Sequence, residues 1–227
     1  MNFVIIVAAG TGSRMNSDLP KQFLCLNELP IVMHTINRFF QCKIVSEVIL
    51  VISEVMEELW NELCSEHDFT LPIHLTYGGR TRFESVKNGI NYIEENFKIR
   101  SEDYIAVHDG ARPIITEELV NKAFQGAYAH QAIVLGQKSI ESVRMGDVSF
   151  NAAVDRNHTW LIQTPQVFHG ELLLKSYQQV EDPLFTDDAS VVEKMGNSIA
   201  IIEGDAKNIK ITYPQDLQIA QLYLNLI

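Results

Sequence analysis

The chain has 227 residues, of which 46% are hydrophobic and 21% are charged, as in ordinary soluble globular proteins and unlike disordered or collagen-like chains. The formal net charge of −11 argues against nonspecific binding to nucleic acid and against docking on anionic lipid, because both need a basic surface. Anionic small substrates remain possible, since a few Arg and Lys side chains can form a positive pocket on an acidic protein.

Neither a membrane span nor a secretion signal is expected. The longest apolar runs, such as residues 3–9, are far shorter than the about 20 residues that a membrane helix needs. No basic segment precedes the first apolar run, so no signal peptide is predicted. The three cysteines, Cys25, Cys42 and Cys64, lack metal-type spacing and are typical of a reducing compartment. We therefore expect a cytoplasmic protein without structural zinc.

Segments with strand and helix patterns alternate from the first residues onward. Residues 3–9 form a continuous apolar run rich in Val and Ile, which is typical of a strand buried on both faces. Further strands are predicted at 45–52, 71–77, 104–108 and 132–135, and helices at 31–40, 54–66, 83–96 and 116–130. The last helix begins with a cap-like Thr116. This alternation predicts an α/β fold, with a Rossmann-like, mostly parallel sheet flanked by helices.

The alternation is interrupted between about residues 138 and 161. Two alternating segments flank Gly146-Asp147, which is typical of a β-hairpin, and we expect a protruding arm at about 138–157. An isolated two-stranded hairpin is rarely stable, so the arm is expected to pack on another surface, such as a second subunit.

The remaining segment returns to helices and a strand. Helices are predicted at 170–180, at 187–195, and from a capping box at Thr212-Tyr213-Pro214-Gln215 to about Leu226, with a strand at 198–202. No linker rich in Gly, Ser or Pro divides the chain, so residues 1–227 are expected to form a single domain that carries the arm.

A glycine-containing segment, Ala8-Ala9-Gly10-Thr11-Gly12-Ser13-Arg14-Met15, follows the first predicted strand. Glycines let backbone amides approach an anion closely, and parallel sheets bind ligands beyond the carboxyl ends of their strands. The segment matches neither a dinucleotide fingerprint nor a Walker loop. Lys21 follows closely enough to join Arg14 on one polyphosphate, although the segment taken alone fits an ordinary turn beside solvated cations somewhat better.

A second polar segment, Val107-His108-Asp109-Gly110-Ala111-Arg112-Pro113, ends the fourth predicted strand. Mg²⁺ favours one or two carboxylates together with substrate oxygens, so Asp109 is a candidate magnesium ligand. Alternatively, Asp109 pairs with Arg112 in a tight turn. We expect His108 to complete the strand rather than to catalyse.

Other polar segments are ambiguous by themselves. The turn from Gly78 to Val86 could bind a base or ribose through its amides and the Ser85 hydroxyl, or could simply join a strand to a helix. Thr186 could be only a helix N-cap, and Asp187 and Asp188 only acidic residues of a first helical turn. Lys210 could be only a solvated cation.

Taken together and in order, these segments resemble the 2-C-methyl-D-erythritol 4-phosphate cytidylyltransferase family of the non-mevalonate isoprenoid pathway. The resemblance extends from Ile5 to Leu217. Besides the two segments quoted above, it is carried by Pro20-Lys21-Gln22, Gln163-Thr164-Pro165-Gln166, Thr186-Asp187-Asp188-Ala189-Ser190, Asn208-Ile209-Lys210-Ile211-Thr212 and Pro214-Gln215-Asp216-Leu217.

The resemblance implies that CTP and methylerythritol phosphate give CDP-methylerythritol and pyrophosphate, with Mg²⁺ or another divalent cation as cofactor. The acceptor phosphate would attack the α-phosphorus directly. Because an ionised phosphate is already a nucleophile, catalysis would come from positioning and charge neutralisation. This agrees with a chain whose motifs offer cations, glycine amides and a carboxylate but no nucleophile–base pair.

Carried over residue by residue, the resemblance implies three groups of site residues. The CTP-binding positions are Ala8, Ala9, Gly10, Gly12, Gly79, Arg80 and Ser85. The catalytic cations at the transferred phosphorus and the leaving pyrophosphate are Arg14, Lys21 and Lys210. The acceptor-binding positions are Asp109, Arg112, Ser142, Arg156, Thr164 and Thr186, and Asp109 would also bind the metal.

The arm resembles the family's arm, which crosses to a second subunit, so a homodimer is implied. Arg112 and Ser142 would then act in the partner's site. The chain departs from the family pattern in carrying Glu141-Ser142 where Asp-Thr is usual, and Arg80 where an acidic residue is common.

Three alternatives fit the sequence less well than this interpretation. A ribitol 5-phosphate cytidylyltransferase shares the glycine segment and Pro-Lys-Gln, but it resembles this chain less at Gly110-Ala111 and Asp188-Ala189-Ser190. A nucleotide-sugar-binding regulatory subunit is disfavoured, because a protein that only binds its ligand has no need of a set of residues that holds pyrophosphate. This set is Arg14, Lys21, Asp109 and Lys210. A dehydrogenase is disfavoured because the dinucleotide fingerprint is incomplete.

Overall fold

A computed structural model describes residues 1–15, 17 and 19–226, with Ser13 described in its backbone only. The described residues form a seven-stranded sheet covered by helices on both faces, which confirms the predicted α/β class. The strands of this sheet are β1 (Asn2–Ala8), β4 (Glu47–Ile52), β5 (His74–Tyr77), β6 (Tyr104–Asp109), β7 (Ala132–Lys138), β10 (Trp160–His169) and β11 (Ala200–Glu203). Two small hairpins are formed by β2 (Cys25–Leu26) with β3 (Leu29–Pro30), and by β8 (Val143–Gly146) with β9 (Asn151–Val154).

The helices lie between these strands along the chain. They are α1 (Ile31–Phe40), α2 (Glu57–Glu66), α3 (Arg82–Asn96), α4 (Glu117–His130), α5 (Gly170–Ser176), α6 (Asp188–Lys194) and α7 (Pro214–Leu224). The strand order is β11-β7-β10-β6-β1-β4-β5. Neighbouring strands are parallel except at β10, which is antiparallel to both β6 and β7. The sheet is therefore mostly parallel, as predicted.

The first strand shows why the apolar runs fold as buried strands. Val4 and Ile6 of β1 point into one core with α1, α2 and α4, whereas Phe3 and Ile5 point into the opposite core with α3, α5 and α6. All four side chains are completely buried. Because side chains alternate across a sheet, a strand covered by helices on both faces needs apolar residues at every position.

The ten-residue strand β10 was not predicted from the sequence. It contains Pro165, which cannot donate a hydrogen bond to a neighbouring strand, and its pairing with β7 shifts register between Gln163 and Gln166. Proline and polar residues obscure the strand pattern here. The position of β10 next to β6 brings Thr164 beside Asp109, which is why this irregular strand matters to the site.

Several predicted boundaries also need correction. The helix predicted at 170–180 ends at Ser176, and regular α-helix in the segment 54–66 begins only at Glu57 after a 3-10 turn. The strand predicted at 71–77 begins at His74. The last helix has Tyr213 rather than Thr212 as its N-cap, because the carboxylate of Asp216 accepts from the Tyr213 amide at 2.8 Å.

The predicted hairpin is present as β8 and β9, and it carries large apolar side chains in solvent. The exposed fraction is 72% for Met145, 82% for Phe150 and 100% for Val148. Apolar side chains clustered on a protruding hairpin are typical of an interface. Within the described ranges, no helix has the length and apolar character required to cross a bilayer.

Candidate active site

Two adjoining cavities open at the carboxyl ends of β1 and β6. The larger has a volume of about 530 Å³, and it is lined by all the predicted CTP-binding and catalytic residues together with Asp109. These lining residues are Ala8, Ala9, Gly10, Gly12, Arg14, Lys21, Gly79, Arg80, Ser85, Asp109 and Lys210. The smaller cavity has a volume of about 290 Å³ and includes Arg112, Thr164 and Thr186 in its wall. The two cavities share Arg82, Asp109 and Lys210.

The glycine segment after β1 is held in place by the buried side chain of Gln22. Its Nε2 donates to the carbonyl oxygens of Ala8 and Gly10, the latter at 2.8 Å. Gly12 has a φ of +66°, and a Cβ atom there would lie 2.8 Å from the backbone nitrogen of Lys21. Only glycine avoids both the strain of this φ and the collision. The segment is therefore a loop of fixed conformation that lines the cavity, and not only an ordinary turn beside solvated cations.

Lys21 and Arg14 lie at the same wall of this cavity. The Lys21 ammonium donates to the carbonyl oxygen of Ile211 at 2.7 Å. Burial, reinforced by the positive charges of Lys210 and Arg14, lowers the pKa of Lys21 to about 8. The guanidinium carbon of Arg14 lies 5.8 Å from the centre of the Tyr213 ring. The wall thus concentrates positive charge, as an anion site requires.

Asp109 lies at the junction of the two cavities among three cations. Its Oδ2 is 3.0 Å from the Lys210 ammonium and 3.3 Å from Nε of Arg112, and its Oδ1 is 3.9 Å from Nη2 of Arg82. Burial alone would raise the pKa of Asp109, but the three cations outweigh it and hold the pKa well below its usual range. The local Asp109–Arg112 pair considered from the sequence is present, and the same carboxylate also faces the cavities.

The turn between β5 and α3 forms the opposite wall. The Gly79 amide donates to the Ser85 hydroxyl at 3.2 Å, and the Arg80 amide donates to Glu84 at 2.6 Å. Thr81 caps α3 by accepting from the Glu84 amide. The side chain of Arg80 is 91% exposed and pairs with Glu84 at 3.2 Å. A glycine at position 79 is required because a Cβ there would collide with Glu84.

The smaller cavity is built from β6, β10 and the segment before α6. The Thr164 hydroxyl accepts from the Asp109 amide at 3.0 Å, and Thr186 lies in the wall. Asp187, not Thr186, is the N-cap of α6, since its carboxylate accepts from the Ser190 amide at 2.9 Å. The alternative of Thr186 as a cap is therefore wrong.

Arg112 is held within its own chain. Its side chain is 11% exposed, and the guanidinium donates to Asp109 and to the carbonyl oxygen of Asn208, the latter at 2.8 Å, while the role of Arg112 in a partner's site stays a prediction. In contrast, Ser142 and Arg156 are exposed on the arm, and neither lines the two cavities described here. The Arg156 guanidinium donates to the Ile140 carbonyl oxygen at 3.2 Å.

His108 is a strand residue, as expected. It is completely buried, its ring packs edge-on against Phe39, and its Nε2 and Nδ1 lie 3.2 Å from the Arg112 carbonyl oxygen and the Thr164 hydroxyl. Burial lowers the pKa of His108 to about 3, so the ring is neutral at physiological pH. Both ring nitrogens are engaged inside the protein, which fits a structural role.

Sequence reasoning missed three side chains that shape the site, namely Gln22, Arg82 and Asp188. Arg82 forms a bidentate ion pair with the buried Asp188, with N–O distances of 2.6 and 2.7 Å. Both residues stand in segments that were recognised as polar. Their partnership, however, joins positions 106 residues apart, and a single sequence carries no signal for such a pair.

The residues present fit a magnesium ion that is shared with a substrate. Among residues 1–15, 17 and 19–226, no cluster of three His, Cys, Asp or Glu side chains could hold a metal by itself. Asp109 nevertheless offers a carboxylate at the wall of both cavities. A single protein carboxylate combined with phosphate oxygens is a common mode of Mg²⁺ binding.

Comparison with known proteins identifies the family. The family model described as 2-C-methyl-D-erythritol 4-phosphate cytidylyltransferase matches residues 2–226. The chain belongs to this family. It is therefore an enzyme of the nucleotidyltransferase class, and the resemblance inferred from the motifs is confirmed.

Relatives with the same name cover nearly the whole chain. The protein of Bacteroides thetaiotaomicron is 42% identical over 221 residues, which is 97% of this chain and 98% of the relative. That of Clostridioides difficile is 35% identical over 230 residues, covering 100% and 94%. The crystal structure of the Francisella tularensis cytidylyltransferase matches with a TM-score of 0.79 at 29% identity, covering 98% of this chain and 99% of that one. The cytidylyltransferase fold therefore extends over the sheet, the helices and the arm.

Proposed function

We propose that this cytidylyltransferase transfers the cytidylyl group of CTP to 2-C-methyl-D-erythritol 4-phosphate and releases pyrophosphate, a step in isoprenoid precursor synthesis by the non-mevalonate pathway. The observation that carries this proposal is the pair of adjoining cavities that share Asp109 and Lys210. A nucleotide in the larger cavity and a polyol phosphate in the smaller one would meet at these shared residues. The family membership supports both substrates.

The chemistry requires positioning more than acid–base catalysis. An oxygen of the acceptor phosphate forms a bond to the α-phosphorus of CTP while the bond to pyrophosphate breaks in line with it. The acceptor phosphate is already ionised, so the step needs no general base. The neutral, buried His108 accordingly has no proton-transfer role.

Charge neutralisation is assigned to Arg14, Lys21 and Lys210. Negative charge grows on the α-phosphoryl oxygens and on the departing pyrophosphate, and cations fixed beside those atoms lower the barrier. Arg14 and Lys21 lie with the glycine segment, so we assign them to the triphosphate. Lys210 lines both cavities, so we assign it to the α-phosphate, where the two substrates meet.

The remaining contacts orient the substrates. Backbone amides at Ala8, Ala9, Gly10 and Gly12 are assigned to the triphosphate, and Gly79, Arg80 and Ser85 to the cytosine and ribose. Asp109, Arg112, Thr164 and Thr186 are assigned to the acceptor, and their place in the smaller cavity supports this. Mg²⁺ would be held by Asp109 together with phosphate oxygens, where it would neutralise phosphate charge.

The arm is proposed to join two copies into a homodimer. Its exposed apolar side chains, with Phe150 at 82% and Val148 at 100%, support burial against a second chain. Ser142 and Arg156 lie on the arm outside both cavities described here, which supports a role in the acceptor pocket of the partner. The three free cysteines support a reducing, cytoplasmic location.

Pyrophosphate release with CTP and Mg²⁺ tests the function directly. Methylerythritol phosphate and ribitol 5-phosphate are supplied in parallel as acceptors. We expect a higher kcat/KM with methylerythritol phosphate. A preference for ribitol phosphate would contradict the acceptor assignment while retaining the nucleotide chemistry, and release with neither would contradict the proposed reaction.

A further inference from the structure

A buried acidic residue, Asp188, binds a cation that lines both cavities. Asp188 is the first residue of α6 and is completely buried. Its two oxygens accept from Nη1 and Nη2 of Arg82 at 2.6 and 2.7 Å, and Oδ1 also accepts from the Tyr177 hydroxyl at 2.6 Å. Asp188 lines neither of the two cavities, so its partners are protein groups rather than ligands.

Arg82 stands between this buried carboxylate and the carboxylate of Asp109. It lines both cavities, and its Nη2 comes within 3.9 Å of Oδ1 of Asp109. That separation is beyond hydrogen-bond length, so the two groups attract each other without direct contact. Lys210 and Arg112 make their nearest approaches to the other oxygen, Oδ2, at 3.0 and 3.3 Å.

The geometry of the guanidinium explains why Arg82 stops short of Asp109. A planar guanidinium pairs most strongly with a carboxylate through two parallel hydrogen bonds, and Asp188 occupies one such edge of Arg82. Tyr177 fixes Asp188 in turn, and the Tyr177 ring stacks on Phe83 with centroids 4.8 Å apart. The competition between two carboxylates for one guanidinium is thus decided in favour of the buried one.

We propose that Asp188 is a positioning residue that holds Arg82 away from Asp109 and so keeps the Asp109 carboxylate available to ligands in the cavities. Without the negative charge of Asp188, Arg82 would turn to Asp109 and pair with its Oδ1. That oxygen would then be occupied when an acceptor hydroxyl or a divalent cation arrives. The inference rests on the proposed function only for its kinetic consequences.

A crystal structure of the Asp188→Asn variant tests the geometry without any assay. The neutral amide has one acceptor oxygen and an NH2 group that only donates, so it cannot accept the two parallel hydrogen bonds from Arg82. We expect the separation between Arg82 and Asp109 to shrink from 3.9 Å to about 2.8 Å, the length of a charge-assisted hydrogen bond. An unchanged separation would overturn the proposal.

The kinetic test compares Asp188→Asn with the double variant Arg82→Met/Asp188→Asn. The single variant should lower kcat/KM for methylerythritol phosphate by about 10- to 100-fold, the usual effect of a misplaced site group, with CTP affinity changed less. The double variant contains no cation at position 82 to occupy Asp109. It should therefore be more active than the single variant, whereas an equal or lower activity would overturn the proposal.

If the Asp188→Asn variant does not fold, the double variant Arg82→Met/Asp188→Asn still tests the proposal. Replacing both members of a buried ion pair by neutral residues is tolerated far better than removing one. If Arg82 acted directly on the reacting phosphate, the folded double variant would lose activity by about 1,000-fold or more, as after loss of a catalytic arginine, and that loss would overturn the proposal.

A matched control uses an exposed pair of the same charge types. Arg100 and Glu102 lie 3.8 Å apart with both side chains 65% exposed. The single variant Glu102→Gln and the double variant Arg100→Met/Glu102→Gln should both retain wild-type kinetics, because exposed pairs contribute little. If the wild-type protein itself releases no pyrophosphate, the proposed function fails, and the crystallographic separation still decides this inference.

Discussion

At the residue scale, the lowered pKa of Lys21 links the structure most directly to the chemistry. Its ammonium is partly buried, bound to the Ile211 carbonyl oxygen at 2.7 Å, and close to other cations. Burial, together with those cations, lowers the pKa of Lys21 to about 8, which means that the loss of water and electrostatic repulsion both disfavour the charged ammonium. A polyphosphate relieves that repulsion when it binds, so its negative charge is favoured at this wall.

Removing either cation should abolish most of the turnover. Lys21→Ala and Arg14→Ala should each lower kcat by about 100-fold or more, because each variant lacks a charge that we assign to neutralising the leaving pyrophosphate. Circular dichroism and thermal unfolding should remain those of the wild type. Lys98→Ala removes an exposed lysine outside both cavities and serves as the control. Near-wild-type turnover in Lys21→Ala or Arg14→Ala would contradict the assigned roles.

The pKa of Lys21 also predicts the alkaline side of the pH profile. Lys21 is charged below about pH 8 and neutral above it, so kcat/KM for CTP should fall as the pH rises through that value. Bound phosphates favour the charged form, so kcat should fall only at a higher pH. Steady-state kinetics from pH 6 to 10 would show this. In Lys21→Arg the fall in kcat/KM near pH 8 should disappear, because the guanidinium stays protonated throughout this range. If kcat/KM still falls near pH 8 in this variant, the fall belongs to another group.

At the element scale, the contact between α3 and the sheet positions the wall that holds Gly79 and Ser85. Gly89 lies in α3 where the helix crosses β1 and β4, and a Cβ atom there would lie 2.8 Å from Ile5 and 3.2 Å from Val51. The absence of a side chain lets the helix approach the sheet closely. The same closeness fixes the N-terminal turn of α3, and with it Arg82, at the edge of the cavity.

The substitution Gly89→Ala measures that close approach. We expect a loss of about 1–3 kcal/mol in the free energy of unfolding, since the overpacked methyl group outweighs the higher helix propensity of alanine. Urea denaturation provides the measurement. Glu95→Ala, at an exposed position of the same helix, should change stability by no more than about 0.5 kcal/mol. A stabilised Gly89→Ala variant would contradict the tight packing.

At the scale of the whole molecule, the site combines segments that are far apart in the chain. The glycine loop after β1, the turn before α3, the end of β6 and the segment around Lys210 meet at one edge of the sheet. Parallel strands make this possible because all their carboxyl ends lie on the same side. The arm extends beyond this edge, with its apolar residues exposed and its Ser142 and Arg156 outside the cavities described.

Mixing two inactive variants tests whether the arm serves the partner's site. The Arg14→Ala and Arg156→Ala proteins are prepared separately, then combined so that subunits of the proposed homodimer exchange. In a mixed dimer, the Arg14-containing site would receive an intact arm from the other chain. Random exchange should therefore restore roughly a quarter of wild-type turnover, since half of the dimers are mixed and each has one complete site. Native mass spectrometry with one variant isotope-labelled would show that mixed dimers have formed, and no recovery of turnover in that mixture would place the arm in its own chain's site.

Local patterns were enough to predict most of the elements. The helix at 31–40 is found with the same bounds, and the cap at Thr116 is confirmed because its hydroxyl accepts from the Leu119 amide. Such features depend on residues a few positions apart, whose periodicity and hydrogen bonding are visible in the chain. The strand β10 was missed because Pro165 and its polar neighbours match no simple period, and only pairing with β6 and β7 makes the segment a strand.

The sequence by itself determined the fold class, the glycine loop, and many of the residues that line the larger cavity, because these are encoded in short segments of the chain. Only the tertiary structure decided which charges meet. It placed Arg112 beside Asp109 of its own chain, bound Gln22 to the glycine loop, and joined Arg82 to Asp188 across 106 residues. Electrostatic partnership depends on distances of a few ångströms in space, and those distances exist only after the sheet and its helices have packed together.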